Sequence, residues 1–136
     1  MFTRLANKTD LSSLLEVMRT TVWNKTEYLK IQLDRASVVV AEDAGIIHGL
    51  VVWNYEFFSL PFIWLVAVSA KYRGQGIAGE LFAFVERECV GGQLYTSTNE
   101  SHEMMHRFLE RRGYRRAGIV DVDPGDPEVF YRIKLP

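Results

Sequence analysis

Residues 62–79 constrain this chain more than any other stretch. Residues 62–69 read FIWLVAVS, eight positions without a charge, and AKYRGQGIAG follows at once. A strand apolar on both faces belongs in the interior of a sheet, covered from both sides. Three glycines within six positions then break it, and behind them Ala78, Leu81, Phe82, Val85 and Cys89 recur at helical spacing. A buried strand, a basic glycine loop and an amphipathic helix, in that order, point to an α/β chain. Glycines let backbone N–H groups come close to phosphate oxygens, and a helix N-terminus adds about half a positive charge. Lys71 and Arg73 can add charge-assisted contacts. A glycine-rich turn without a ligand is the plain alternative.

Gly74, Gly76 and Gly79 also satisfy GxGxxG, the dinucleotide fingerprint. That fingerprint needs its first glycine at the very end of a strand, inside a βαβ unit. Here Ala70-Lys71-Tyr72-Arg73 intervene, a hairpin precedes the motif, and too little chain follows for a dinucleotide sheet. Glu100 stands about 20 residues on, as the fingerprint asks, but its neighbours TSTNES read as a loop and helix cap. A Walker A loop is excluded, because no Gly-Lys-Ser/Thr follows the glycines.

The rest of the chain fits one domain over residues 1–136, long enough to bury a single core. Leu11, Leu14, Leu15, Met18 and Val22 predict a helix over 10–23, capped by Thr9 or Asp10. Asn24 and Glu27 have capping-box spacing for a second helix over 26–35. SVVVAE at 37–42 and the run 46–56 flank Asp43-Ala44-Gly45 and predict a hairpin. A turn over 57–61 leads into the central strand. After the glycine loop and its helix, a strand is expected over 93–98 and a fourth helix over 101–112. Met105, Phe108 and Leu109 line the inner face of that helix, with His106 off it and solvated. Strands over 114–120 and 128–135 finish the chain, the last turning Val129, Tyr131, Ile133 and Leu135 inward. The order is ααβββαβαββ: mixed α/β, a mostly antiparallel sheet of six to seven strands flanked by about four helices.

With this order assembled, the segment Val66-Ala67-Val68-Ser69-Ala70-Lys71-Tyr72-Arg73-Gly74-Gln75-Gly76-Ile77-Ala78 resembles the acetyl-CoA-binding segment of GNAT-superfamily N-acetyltransferases. The family pattern Arg/Gln-x-x-Gly-x-Gly/Ala is met by Arg73, Gly76 and Ala78, with Ala70 where proline is common. Residues 102–114, ending Glu110-Arg111-Arg112-Gly113-Tyr114, resemble the family's helix closing in x-x-Gly-Phe. The resemblance covers nearly the whole chain.

It implies that backbone amides of Arg73, Gly74, Gln75, Gly76, Ile77, Ala78 and Gly79 wrap the CoA pyrophosphate. Val66, Ala67 and Val68 would pair with the pantetheine arm, and an N–H near Val68 would polarise the thioester carbonyl. Attack by the amine is direct, so Cys89, placed in the middle of a helical stripe, reads as a core residue. The position of the family's thiolate-protonating tyrosine is Leu109, which cannot donate a proton. Where an asparagine often contacts pantetheine stands His102, with Asn99 three residues upstream. His102 is then a surface histidine at a helix start, a hydrogen-bond partner of the cofactor, or a proton donor. Glu56 is a candidate base or a turn carboxylate. Tyr95 and Tyr114 are further donors or packed aromatics.

The acceptor site implied by the family spans 22–28 and 55–61, with Trp23, Tyr28, Tyr55, Phe57 and Phe58 forming an aromatic rim. The implied activity is acetyl transfer from acetyl-CoA to an amine of a small molecule or peptide. A non-catalytic acyl-CoA-binding module on the same fold is the alternative. Cys89 is the only cysteine, which rules out an internal disulfide and a cysteine-based metal site, and no metal is expected. The net charge of −1 argues against nucleic acid as a partner, despite the arginines from Arg107 to Arg116. No apolar run approaches the roughly 20 residues that span a bilayer, and the first residues lack a signal peptide's apolar region. A cytoplasmic monomer or homodimer is the expectation.

Overall fold

The computed structural model describes residues 1–20 and 26–136. The elements are β1 (Phe2–Leu5), α1 (Leu11–Val17), α2 (Thr26–Asp34), β2 (Val38–Asp43), β3 (Ile46–Phe57), β4 (Leu60–Val68), α3 (Ile77–Glu88), β5 (Gln93–Asn99), α4 (Glu103–Arg111), β6 (Arg115–Val120) and β7 (Glu128–Lys134). The expected order holds, with β1 added in front. Seven strands form one sheet in the order β1-β2-β3-β4-β5-β7-β6. β1 with β2, β2 with β3, β5 with β7 and β6 with β7 are antiparallel, and β4 with β5 is parallel. No described helix is long and apolar enough to cross a membrane.

β1 escapes a pattern-based reading because its stability is non-local. Thr3 and Arg4 pair with Ala41 and Val40 of β2. The Arg4 guanidinium grips the carboxylates of Asp10, at 2.9 and 3.0 Å, and of Glu42. These bonds raise the Arg4 pKa above its already high value and hold the Asp10 carboxyl below the usual carboxylate range. Asp10 therefore precedes α1 without capping it; its side chain takes the Asn7 N–H, while Asn7 accepts from Thr9. Helix α1 is shorter than expected, ending at Val17 in a 3-10 turn over Met18–Thr20. The expected continuation through Val22 and Trp23, and the Asn24 cap, lie outside the described residues.

The described residues form two compact units, residues 1–53 with 65–88, and residues 54–64 with 89–136; β3 and β4 run through both. In the first unit, strand alternation divides β2 and β3 between two faces. Val38, Val40, Leu50 and Val52 join Leu14, Val17, Leu29 and Leu33 in one buried cluster. Val39 and Ala41 pair with Val51 and Gly49 on the other face. There α3 settles so close that a Cβ built on Gly49 would lie 3.0 Å from Ile77 Cγ2 and 2.9 Å from the Ala67 carbonyl oxygen. Only hydrogen fits at position 49.

In the second unit, Leu94, Thr96 and Thr98 of β5 and Val129 and Tyr131 of β7 are buried on one face, together with His106 and Leu109 of α4. His106 is a correction to the expectation of a solvated side chain, since it is only 7 % exposed. The opposite face carries rings from four strands. Phe57 lies 4.5 Å from Phe62, 5.6 Å from Tyr95 and 5.7 Å from Phe130, centroid to centroid. Trp64, 4.3 Å from Phe62, is fixed by its Nε1–H donating to Asn54 Oδ1 at 2.7 Å. The β3–β4 turn is tighter than expected: Phe58 and Ser59 both take positive φ, 51° and 62°, and Phe58 is 84 % exposed.

Candidate functional site

The strand–loop–helix unit from Val66 to Gly79 lies wholly in the first compact unit. Val66, Ala67 and Val68 are half-exposed at the end of a strand whose beginning, Phe62 and Ile63, is buried and pairs with Tyr95 and Thr96. Apolar composition alone therefore overstated the burial of β4, because its last residues keep one side open. The Ser69 N–H donates to His48 O at 2.8 Å, tying the strand's end to β3. A 3-10 turn over Ala70–Tyr72 follows, closed by the Tyr72 N–H donating to Ser69 O at 2.9 Å.

Arg73, Gly74, Gln75 and Gly76 are exposed. Arg73 Nε donates back to Val68 O at 3.2 Å, which holds the guanidinium beside the strand's end. Gly74 and Gly76 have φ of 78° and 81°, a region costly for side-chain-bearing residues. A Cβ added to either would meet nothing within 4 Å, so the loop's surface is open at both. Gly76 O accepts the first helical bond, from Glu80 N at 3.1 Å. The N–H groups of Ile77, Ala78 and Gly79 belong to the first turn of α3, where an α-helix offers no partner of its own. Open backbone, a positive helix end and Arg73 together fit a diphosphate, and the half-exposed strand fits an extended polar chain lying along it.

Asn99, His102, Tyr95, Glu56, Tyr114, Leu109 and Cys89 lie in the second unit. Asn99 ends β5, and its Nδ2 donates to Asp126 O at 3.2 Å. His102 is the exposed N-cap residue of α4, with Nδ1 3.2 Å from Thr98 Oγ1. Tyr95 is half-buried, its hydroxyl donating to Gln93 Oε1 at 3.1 Å. Glu56 is exposed near the end of β3. Its N–H donates to Asn54 Oδ1 at 3.0 Å. Tyr114 is buried at 2 % exposure, and Leu109 at 0 %. Cys89 lies just beyond α3 and is half-buried, not in the middle of a helical stripe as expected. Among the described residues no group of three or more His, Cys, Asp or Glu side chains could hold a metal ion.

Sequence reasoning missed what holds the β5–α4 turn. His106 Nε2 lies 3.0 Å from the carbonyl oxygens of both Asn99 and Glu100. Two carbonyls can only accept, so Nε2 carries the proton, and Nδ1 accepts the Tyr131 hydroxyl at 2.6 Å. From the other side the Asp126 carboxylate takes the Ser101 hydroxyl at 2.7 Å and the Ser101 N–H at 3.0 Å, and these bonds hold its pKa below the ordinary carboxylate value. The Glu100 N–H donates to Pro127 O at 2.8 Å. The one sequence signal was Tyr131, an inward-facing tyrosine whose buried hydroxyl had to find a partner.

Comparison with known proteins bears on what such a unit does. The family model described as acetyltransferase (GNAT) domain matches residues 34–116. Comparison with curated proteins finds no match. A GNAT-family acetyltransferase from Bacillus cereus superposes with a TM-score of 0.91 at 28% identity, covering 99% of this chain and 97% of that one. The ribosomal-protein-S18-alanine N-acetyltransferase of Escherichia coli shares the fold at a TM-score of 0.82 and 15% identity, covering 98% and 93%. YncA of Salmonella typhimurium, whose structure includes its cofactor acetyl-CoA, does so at 0.77 and 17%, covering 99% and 94%. With half-exposed strand, open glycine loop and helix start all inside the matched residues, the chain belongs to the GNAT family of acetyltransferases.

Proposed function

We propose that this chain is an N-acetyltransferase that uses acetyl-CoA and acetylates an amine of a small molecule or peptide. The observation that carries this reading is the open loop with Gly74 and Gly76 at positive φ, set between the half-exposed end of β4 and the start of α3. In this reading Arg73 and the amides from Gly74 to Gly79 hold the diphosphate, and Val66, Ala67 and Val68 line the pantetheine arm. Acetyl-CoA supplies an activated thioester carbonyl on which an unprotonated amine can act directly, with CoA as the leaving thiol. An N–H at the end of β4 stabilises the developing oxyanion.

Proton handling falls to His102 before Glu56 or Tyr95. A histidine ring can both donate and accept a hydrogen bond, and His102 is solvent-exposed with Thr98 Oγ1 as its orienting partner. Tyr95 already spends its hydroxyl hydrogen on Gln93. The amine acceptor is proposed from the family relationship and from the aromatic face around Phe57 and Trp64, which suits the apolar part of an amine substrate.

A turnover screen with acetyl-CoA over amino acids, polyamines, aryl amines and peptides tests the proposal, following free CoA thiol and the acetylated product. Acetyl recovered on nitrogen supports it. CoA binding with no turnover on any amine assigns instead the second reading, a non-catalytic acyl-CoA-binding module. Leu109 favours that reading to a degree, because it is fully buried where the resemblance places a proton-donating tyrosine.

A further inference from the structure

We propose that His48 is a positioning residue for the diphosphate loop, acting through a ring-on-ring stack with Tyr72; this rests on the acetyl-CoA reading above. His48 lies in β3 and is buried, 8 % exposed, although β3 is otherwise apolar around it. Its ring stacks on Tyr72 with centroids 3.6 Å apart and planes 11° from parallel. Tyr72 is the last residue of the 3-10 turn that leads into Arg73 and Gly74.

The stack is one of two ties between β3 and this loop from the same residue. The His48 carbonyl oxygen accepts the Ser69 N–H at 2.8 Å, so backbone and side chain of His48 grip the two ends of the segment from Ser69 to Tyr72. Both loop cations stand beside Tyr72 in the chain. Lys71 Nζ sits 5.2 Å from the Tyr72 ring centroid, and Arg73, the next residue, bonds back to Val68 O. A flat ring at 48 therefore fixes where Tyr72 stands, and Tyr72 fixes where the two positive charges and the first open glycine face the ligand. A loop held before binding spares the ordering cost that a mobile loop would meet on binding.

The test is CoA affinity by calorimetry, with inorganic pyrophosphate as a competing probe, in wild type, His48→Leu, His48→Phe, Tyr72→Leu and the His48→Leu/Tyr72→Leu double variant. An aromatic pair contributes enough to shift affinity by about 3- to 10-fold. His48→Leu and Tyr72→Leu are each expected to weaken CoA by that factor, and the double variant to weaken it no further. His48→Phe, which keeps a flat ring, stays within about twofold of wild type. Rescue by phenylalanine separates positioning from general stability. If His48→Leu fails to fold, Tyr72→Leu decides, because Tyr72 is on the partly exposed side of the stack. Unchanged CoA affinity in the leucine variants overturns the positioning role and leaves the acetyl-CoA reading intact. A wild type that binds no CoA overturns that reading, and the inference with it.

Discussion

Gly49→Ala is expected to lower stability, against the usual sign of such a change. The φ of Gly49 is not in the positive region, so alanine can adopt its backbone. Losing a glycine from the unfolded chain then favours folding by about 0.4–1 kcal/mol when the native site has room. Position 49 has none. The new methyl would sit 2.9 Å from Ala67 O, 3.0 Å from Ile77 Cγ2 and 3.3 Å from Leu81 Cδ1. The first of these is backbone and cannot rotate away. Overpacking of this kind costs about 1–3 kcal/mol, leaving a net loss of about 1–2 kcal/mol. For a domain of this size that is a fall of about 3–7 °C in Tm. Gly118 in β6 is the matched control, because a Cβ there meets nothing within 4 Å and its φ is also unexceptional. Gly118→Ala should leave Tm unchanged or raised. Calorimetric melting of the three proteins decides the matter. A Gly49→Ala protein as stable as wild type would refute the close approach of α3 to β3. The displaced groups are Ala67 and α3, so weaker CoA binding should accompany the lower Tm.

Three further outcomes follow from local geometry. Replacing Phe58-Ser59 by Asn-Gly should raise stability by about 1–2 kcal/mol in urea unfolding, since both residues stand at positive φ and Asn-Gly is the preferred pair for such hairpin turns. Asp10→Asn should cost about 1–2 kcal/mol at neutral pH by breaking the paired bonds from Arg4. The folded pKa of Asp10 is lowered, so its contribution is fully present above the ordinary value of 3.8 and is lost as pH falls below it through the folded value. The wild-type and Asp10→Asn stabilities should therefore converge in acid, and a gap that persists there would contradict the pairing. Tyr131→Phe should cost about 1–3 kcal/mol by leaving His106 Nδ1 buried without a donor, and Tyr131→Phe with His106→Phe should cost less than the two single changes added together.

Most of the fold was legible because it is written in local patterns. A charge-free run, three glycines and a helical stripe locate β4, the loop and α3 without reference to the rest of the chain. β1 was not legible, because four residues carry no period and are held by Arg4 reaching Asp10 and Glu42. His106 was misjudged for a related reason. Periodicity assigns a face to apolar residues, whereas His106 is buried because Tyr131, 25 residues away, completes its hydrogen bonding. The form of the loop was readable, since glycines, arginine and helix start are local in sequence. The stack of His48 on Tyr72 was not, because it joins two segments 24 positions apart. Glu56 and Tyr95 looked equally eligible in sequence, which carries no sign that the Tyr95 hydroxyl donates to Gln93 Oε1.

Residues 66–79 are proposed to hold the CoA chain and its diphosphate. Amide NMR spectra titrated with CoA test it most directly. The amides of Val66, Ala67 and Val68, and those from Arg73 to Gly79, are expected to shift together and saturate. No shift at millimolar CoA, or shifts confined to residues outside that strand, loop and helix start, would contradict it.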